Sequence, residues 1–199
     1  MAQDMITRSE PALMVIGGSA GSLDVLMSVL PLIRKDLQVP IIIVVHRKNN
    51  ADSSLIQLLS AKSRLKVKEA DDKDDILPGW IYICPADYHL LIETDHTLSL
   101  DVSEKVNYSR PSIDITLQTA AEAYGTALTC LLLSGASTDG AEGLEFAGKK
   151  GAVIAVQDPS SAEVSYMPQK AIERNPTAHI LKPGEIAAFI NSAGEQSGG

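Results

Sequence analysis

The chain alternates short apolar runs with segments in which apolar residues recur at helical spacing. Residues 13–17 and 40–45 ("PIIIVV") are too short for helices and lack polar alternation, so they predict strands buried on both faces. Residues 128–133, the "GAVIAVQ" run and residues 178–181 predict three more strands. Helical spacing predicts helices over 23–34, 53–59, 111–123, 139–149, 168–173 and 183–191, with Pro111 placed where helices favour proline. Buried strands alternating with helices imply an α/β fold, a mostly parallel sheet covered on both faces. Over 65–103 the texture changes. Short strand signals there alternate with turn chemistry at Pro78-Gly79, Pro85 and Asp95-His96, which predicts hairpins added to one side of the sheet. Residues 1–11 and 193–199 are expected to be flexible ends around a single unit, 12–192.

Composition narrows the function classes. Aromatics make up 4% of the 199 residues, so the core must be built from Val, Ile, Leu and Ala. The formal charge of −8, with no Lys/Arg stripe, argues against a nucleic-acid partner. Cys84 and Cys130 sit inside apolar runs without metal-type spacing, which predicts buried free thiols in a reducing compartment. No run approaches the ~20 apolar residues of a membrane span, and the first residues lack an apolar signal-peptide centre. The expectation is a cytoplasmic protein without membrane insertion.

The strongest chemical signal is "VIGGSAGS" at a strand-to-helix junction. A dinucleotide fingerprint needs glycine where Ser19 stands, and no lysine follows to complete a phosphate-binding loop. What fits is G-x-S-x-G, a turn that lifts Ser19 as a nucleophile, with the N–H groups near Ala20 at the helix start facing a developing oxyanion. The competing reading makes Ser19 an N-cap. Two further strand ends bear on the choice. His46 stands where "IIIVVHRK" runs out, and Asp139 stands in the loop after "LLLS". Strand tops of one parallel sheet can assemble a Ser-His-Asp triad from separate elements, whatever the chain order. His89, His96 and His179 read as structural or solvated, the "ADDKDD" stretch as a charged turn, and no His/Cys/Asp cluster has metal-ligand spacing.

Taken in order, "VIGGSAGS", "VVHR", "NYSRPSID" and "LLLSGASTDGAEGL" resemble the catalytic domain of chemotaxis protein-glutamate methylesterases, the CheB type, over about residues 13–190. The resemblance implies a doubly wound three-layer α/β/α sandwich with a β-hairpin region at one side. It also implies the triad Ser19, His46 and Asp139. The implied activity is demethylation of glutamate methyl esters on chemoreceptor helices, and deamidation of glutamines, with no metal or organic cofactor. The implied partners are methyl-accepting chemotaxis receptors, with a receiver domain or methyltransferase supplied by another chain or region; with a first strand beginning near Leu13 no receiver domain is expected ahead of it in this sequence, whether the chain is a lone enzyme or a domain of a larger protein. Several positions depart from the family pattern. Gly18, Ala20 and Ser22 replace Ala, Thr and Gly of the usual turn; Arg47 and Lys48 follow the histidine in place of Met-Pro; Ala136 replaces a methionine; and Ser109 replaces a histidine. These changes fall on the rim, so Ala20, Arg47, Arg110 and Ala136 are candidate oxyanion or substrate-binding residues, with Met167 nearby. Arg47, Lys48 and Arg110 are expected to form a positive rim that receives an acidic helix; the competing reading leaves them as solvated charges. Alternatives from other classes are an esterase acting on another protein or a small ester, and a receptor-binding module without turnover.

Overall fold

The computed structural model describes residues 11–47 and 54–193. In chain order the strands are β1 (Leu13–Gly18), β2 (Ile41–Val45), β3 (Lys66–Glu69), β4 (Trp80–Ile83), β5 (His89–Ile92), β6 (Leu98–Asp101), β7 (Leu128–Leu132), β8 (Val153–Gln157) and β9 (His179–Leu181). The helices are α1 (Ser22–Val29), α2 (Ser54–Lys62), α3 (Ile113–Tyr124), α4 (Ala141–Lys149), α5 (Tyr166–Arg174) and α6 (Pro183–Asn191). Among the described residues one seven-stranded sheet runs β3-β4-β2-β1-β7-β8-β9, and every neighbouring pair is parallel. β1 and β2 are buried at every position, because helices cover both faces. Met14, Ile16, Ile41 and Ile43 pack with Leu26 of α1, Leu59 of α2 and Ile186 of α6. Leu13, Val15, Ile42 and Val44 pack on the other face with Leu117 of α3, Leu144 of α4 and Ala171 of α5. The strand order reverses between β1 and β7, and α1 and α4 leave those strands on opposite faces. That is the switch point where doubly wound folds open a crevice beyond the strand ends.

The 65–103 region departs from the expected series of hairpins. β3 and β4 join the main sheet in parallel, and only β5–β6 is an antiparallel hairpin. The reason is burial: Ile81 and Ile83 face one layer and Tyr82 the other, so β4 is a two-sided strand that a surface hairpin could not bury. The carboxylate-rich stretch becomes the crossover between β3 and β4, held by the Tyr82 hydroxyl, which donates to Asp75 O at 2.7 Å and accepts from Leu77 N at 3.0 Å. The β5–β6 hairpin packs its Leu90, Ile92 and Leu98 into the α3 layer. Helix boundaries move for local reasons. The first helix stops at Val29 and tightens into a 3-10 turn, Leu30–Leu32, because Pro31 has no N–H for the next helical bond. α3 starts after Ser112, whose hydroxyl takes the cap, so Pro111 lies just outside it. α4 starts at Ala141, leaving Asp139 in the preceding loop. Cys84 and Cys130 are unpaired and buried, and burial pushes both thiols up. The expected flexible ends lie outside the described residues, apart from Pro11 and Ala193.

α3 and α4 cross in direct backbone contact. A Cβ on Gly143 would stand 2.8 Å from Leu117 Cβ and 2.9 Å from Asp114 Cα, so α4 presents glycine there. The close approach lets each helix start receive a carboxylate from the other segment. Asp114 Oδ1 accepts N–H bonds from Gly140 (2.9 Å) and Gly143 (2.6 Å) at the start of α4. Asp139, just ahead of α4, accepts N–H bonds from Ile113 (2.6 Å) and Asp114 (3.0 Å) at the start of α3. Both positive helix ends are thereby neutralised by buried side chains. Burial first, and then the Asp139 charge, push the Asp114 carboxyl up to about 7 against the pull of the Gly143 and Gly140 N–H groups.

Two outcomes are expected. Because Asp114 holds its proton more tightly folded than unfolded, its ionisation costs stability as pH rises from about 4 to about 7, and the cost levels off above. Asp114→Asn keeps the Oδ1 acceptor and removes the charge. Thermal melts from about pH 5 to about pH 8 should therefore show the Asn variant gaining on the parent by several degrees on the order expected for this size; a constant gap would exclude a buried titrating carboxyl. Gly143→Ala should destabilise by about 1–3 kcal/mol through overpacking against α3, measurable by urea unfolding.

Candidate active site

Ser19, His46 and Asp139 follow β1, β2 and β7, three strands adjacent in the sheet. The β1–β2 register ends at Gly18↔Val45, so its next step sets Ser19 beside His46, and His46 N donates to Gly18 O at 3.1 Å. Side chains alternate along a strand. Val15 and Gly17 face the α3 layer, as do Ile42 and Val44. Ser19 and His46 continue those two series toward α3, where Asp139 is anchored.

The turn at Ser19 is held from several sides. Ser19 N donates to Ser134 O at 2.9 Å, and both the N–H and the hydroxyl of Ser22 donate to Ser19 O. The Ser134 hydroxyl, fully buried, donates to Ala20 O at 2.7 Å and accepts from Val164 N at 2.9 Å. Gly21 has φ of 79°, and a Cβ there would stand 2.6 Å from Glu163 Cβ, so the turn demands glycine. α1 carries no side-chain cap; its cap position is Gly21. The N-cap reading of Ser19 is therefore corrected: its hydroxyl makes no hydrogen bond among the described residues and remains partly exposed. The N–H groups of Ala20, Gly21 and Ala136 also find no acceptor among the described residues. Gly135 brings Ala136 to this turn, since a Cβ on Gly135 would lie 3.0 Å from Ser19 Cβ. Met167 packs on the far side of Gly135 and is buried, while Ala20 and Ala136 are exposed.

His46 Nε2 lies 2.7 Å from Asp139 Oδ2. Asp139 is fully buried and also accepts from the Ser112 hydroxyl at 2.9 Å. Burial works to raise its pKa, but the bonds from His46 and from the Asp114 and Ile113 N–H groups outweigh burial and hold it below the usual carboxylate range. An ionised Asp139 only accepts, so His46 donates from Nε2, and in the neutral imidazole Nδ1 is the nitrogen that carries the lone pair. No hydrogen bond joins Ser19 Oγ to His46 among the described residues. Behind Asp139 the chain of bonds continues: Ser112 N donates to His89 Nδ1 at 3.1 Å, and His89 Nε2 donates to Glu104 O at 3.0 Å. Sequence reasoning missed Ser112, Asp114 and Ser134. Only the capping position of Ser112 ahead of a helical pattern offered a signal, since the other two act through partners distant in sequence.

A cavity of about 450 Å³ opens beside His46, lined also by Arg47, Asp87, Lys105, Tyr108, Ser109, Arg110 and Pro111. Arg47 and Arg110 thus border the site, but the free positive rim needs correction. Arg47 pairs with Glu69 at 2.6 Å, and Arg110 pairs with Asp87 at 2.8 Å while also donating to the Val102 and Ser103 carbonyls. Each guanidinium is largely compensated by a carboxylate that sequence separation had hidden. Lys48 lies outside the described residues. Among the described lining residues, Lys105 is the cation that closes no ion pair. Among the described residues there is no group of His, Cys, Asp and Glu suited to hold a metal, and no helix long and apolar enough to cross a membrane.

A relative from Leptospira interrogans is 40% identical over 176 residues, covering 88% of this chain and 91% of its own. A Thermotoga maritima protein named protein-glutamate methylesterase/protein-glutamine glutaminase is 33% identical over 188 residues, but this chain spans only 55% of its length. The crystal structure of the Thermotoga maritima CheB methylesterase catalytic domain superposes with a TM-score of 0.87 at 32% identity, covering 91% of this chain and 97% of that one. The family model described as CheB methylesterase matches residues 14–190. On fold, strand-end geometry and this match across most of its length, the chain belongs to the CheB methylesterase family.

Proposed function

We propose that this chain, through a catalytic unit at residues 12–192, hydrolyses methyl esters of glutamate side chains on proteins, with chemoreceptor cytoplasmic helices as the substrate. It also deamidates glutamines by the same acyl chemistry. The observation that carries the reading is the strand-end cluster: an unbonded Ser19 hydroxyl, His46 locked to buried Asp139 at 2.7 Å, and free N–H groups beside them. In this reading Ser19 Oγ attacks the ester carbonyl carbon and its proton passes to His46 Nδ1. A Ser19 rotamer change closes the missing hydrogen bond, as catalytic contacts commonly tighten only with substrate. The N–H groups of Ala20 and Ala136 hold the oxyanion, aided by the positive end of α1. The tetrahedral intermediate collapses, the C–O bond to methoxide breaks, and the leaving group takes the proton from His46 as methanol. Water then attacks the acyl-serine and gives a proton to His46; as the acyl C–O bond to Ser19 breaks, that proton returns to Ser19 Oγ, and the product acid loses its proton to solvent as the glutamate carboxylate. With a glutamine substrate, ammonia leaves in place of methanol. Arg47 and Arg110 support the wall of the substrate cavity through their pairs with Glu69 and Asp87. This substrate places the enzyme in the cytoplasm, with receptors as its partners and a receiver domain or methyltransferase as a regulatory partner from another chain or region.

Methanol release from methylated receptor fragments tests the activity directly. Ser19→Ala or His46→Ala should each lower turnover by on the order of 10⁶, and Asp139→Ala by nearer 10⁴. The Ser19/His46 double variant should be little worse than either single, because the residues act as a unit. Independent, multiplying losses would exclude a shared mechanism, and turnover by Ser19→Ala at the parent rate would exclude the nucleophile.

A further inference from the structure

Tyr108 is 98% exposed, yet it lines the cavity that contains His46. It sits at the tip of a two-residue turn closed by Val106 N to Ser109 O (3.1 Å) and Ser109 N to Val106 O (2.9 Å). Both turn residues are left-handed, Asn107 with φ of 49° and Tyr108 with φ of 64°. Such turns favour Asn first and Gly second. Asn107 meets the preference and reaches back to the site, its Nδ2 donating to Asp114 Oδ2 at 3.4 Å. Tyr108 violates it, since a Cβ disfavours this conformation. A ring so exposed packs against nothing that would offset the strain, so the folded chain by itself gives no reason for tyrosine here. Strain of this kind gathers where a side chain must be presented.

We propose that Tyr108 is a docking post for the protein segment that carries the ester, so that its ring selects protein-borne over small esters. The assignment rests on the substrate reading above. An exposed tyrosine offers a broad, rigid contact face at low entropic cost, the type of side chain that dominates contact energetics when a partner covers it. Its place on the cavity mouth sets that face beside the reacting side chain, where the flanking backbone of a protein substrate must pass and a small ester does not reach. The charge nearby matches such a segment. Each turnover leaves a carboxylate on it, and Lys105, in the segment leading to the same turn, is exposed and unpaired among the described residues. Arg47 and Arg110 are committed to their own carboxylates.

The test compares kcat/KM for a methylated receptor fragment with that for a small neutral ester in the parent, Tyr108→Phe and Tyr108→Gly. Tyr108→Gly relieves the left-handed strain, so its melting temperature should equal or exceed the parent's, which separates docking from folding. It should lower the ratio of the two kcat/KM values by on the order of tenfold, mainly through KM on the fragment, as expected for loss of one aromatic contact. Tyr108→Phe keeps the ring and should keep the ratio. An unchanged ratio in Tyr108→Gly, with the parent's preference for the fragment intact, would overturn the docking role alone. Absence of that preference in the parent, alongside turnover of the small ester, would overturn the substrate reading and the docking role with it.

Discussion

The site depends on an exchange of carboxylates between two helix starts. Asp139 closes the start of α3 and Asp114 closes the start of α4, and Gly143 lets the helices approach closely enough for both. Neither carboxylate could stay buried without these N–H partners. The arrangement fixes Asp139 as an ionised acceptor facing His46, while the same proximity raises Asp114. Two neighbouring acids are thus driven apart in proton affinity: the bonds from His46 and the α3 N–H groups keep Asp139 charged, while burial and the Asp139 charge push Asp114 toward neutrality against its own N–H bonds.

The parallel sheet supplies the rest of the alignment. β1 sits at the centre with β2 and β7 beside it, so three consecutive strand ends open into one crevice at the switch point. Strand alternation then aims Ser19 and His46 at the α3 layer without any special local device. The turn after β1 is held by Ser134, just beyond β7, and by Glu163, Val164 and Met167 where the chain enters α5. Ser19 and the free N–H groups beside it are therefore positioned by several elements at once, while the cavity beside His46 stays open.

For a protein with net charge −8, the mouth of the cavity is closely balanced rather than strongly positive. Two arginines are paired with carboxylates and hold the walls together, leaving Lys105 as the unpaired cation among the described lining residues. With both arginines engaged in this way, the cavity mouth carries little free positive charge among the described residues.

The α/β class, most strand cores and the strand-end positions of Ser19, His46 and Asp139 were legible in the sequence. Continuous apolar runs and helical periodicity are local signals, and doubly wound sheets gather their chemistry beyond strand ends. The resemblance in "VIGGSAGS", "NYSRPSID" and "LLLSGASTDGAEGL" added the family and its reaction. The parallel placement of β3 and β4 was not legible, because a two-sided strand and a surface hairpin look alike when each is only four residues long. Nor were the pairing of Arg47 with Glu69, the cap of Asp114 on α4, or the tie of Ser134 to the Ser19 turn. Each joins residues far apart in the chain, and a hydrogen bond of under 3 Å exists only once tertiary packing has set both partners. Sequence pattern determined which residues reach the end of the sheet; tertiary packing decided which of them are paired or free, and the crossing of α3 and α4 set the charge of Asp139 and Asp114.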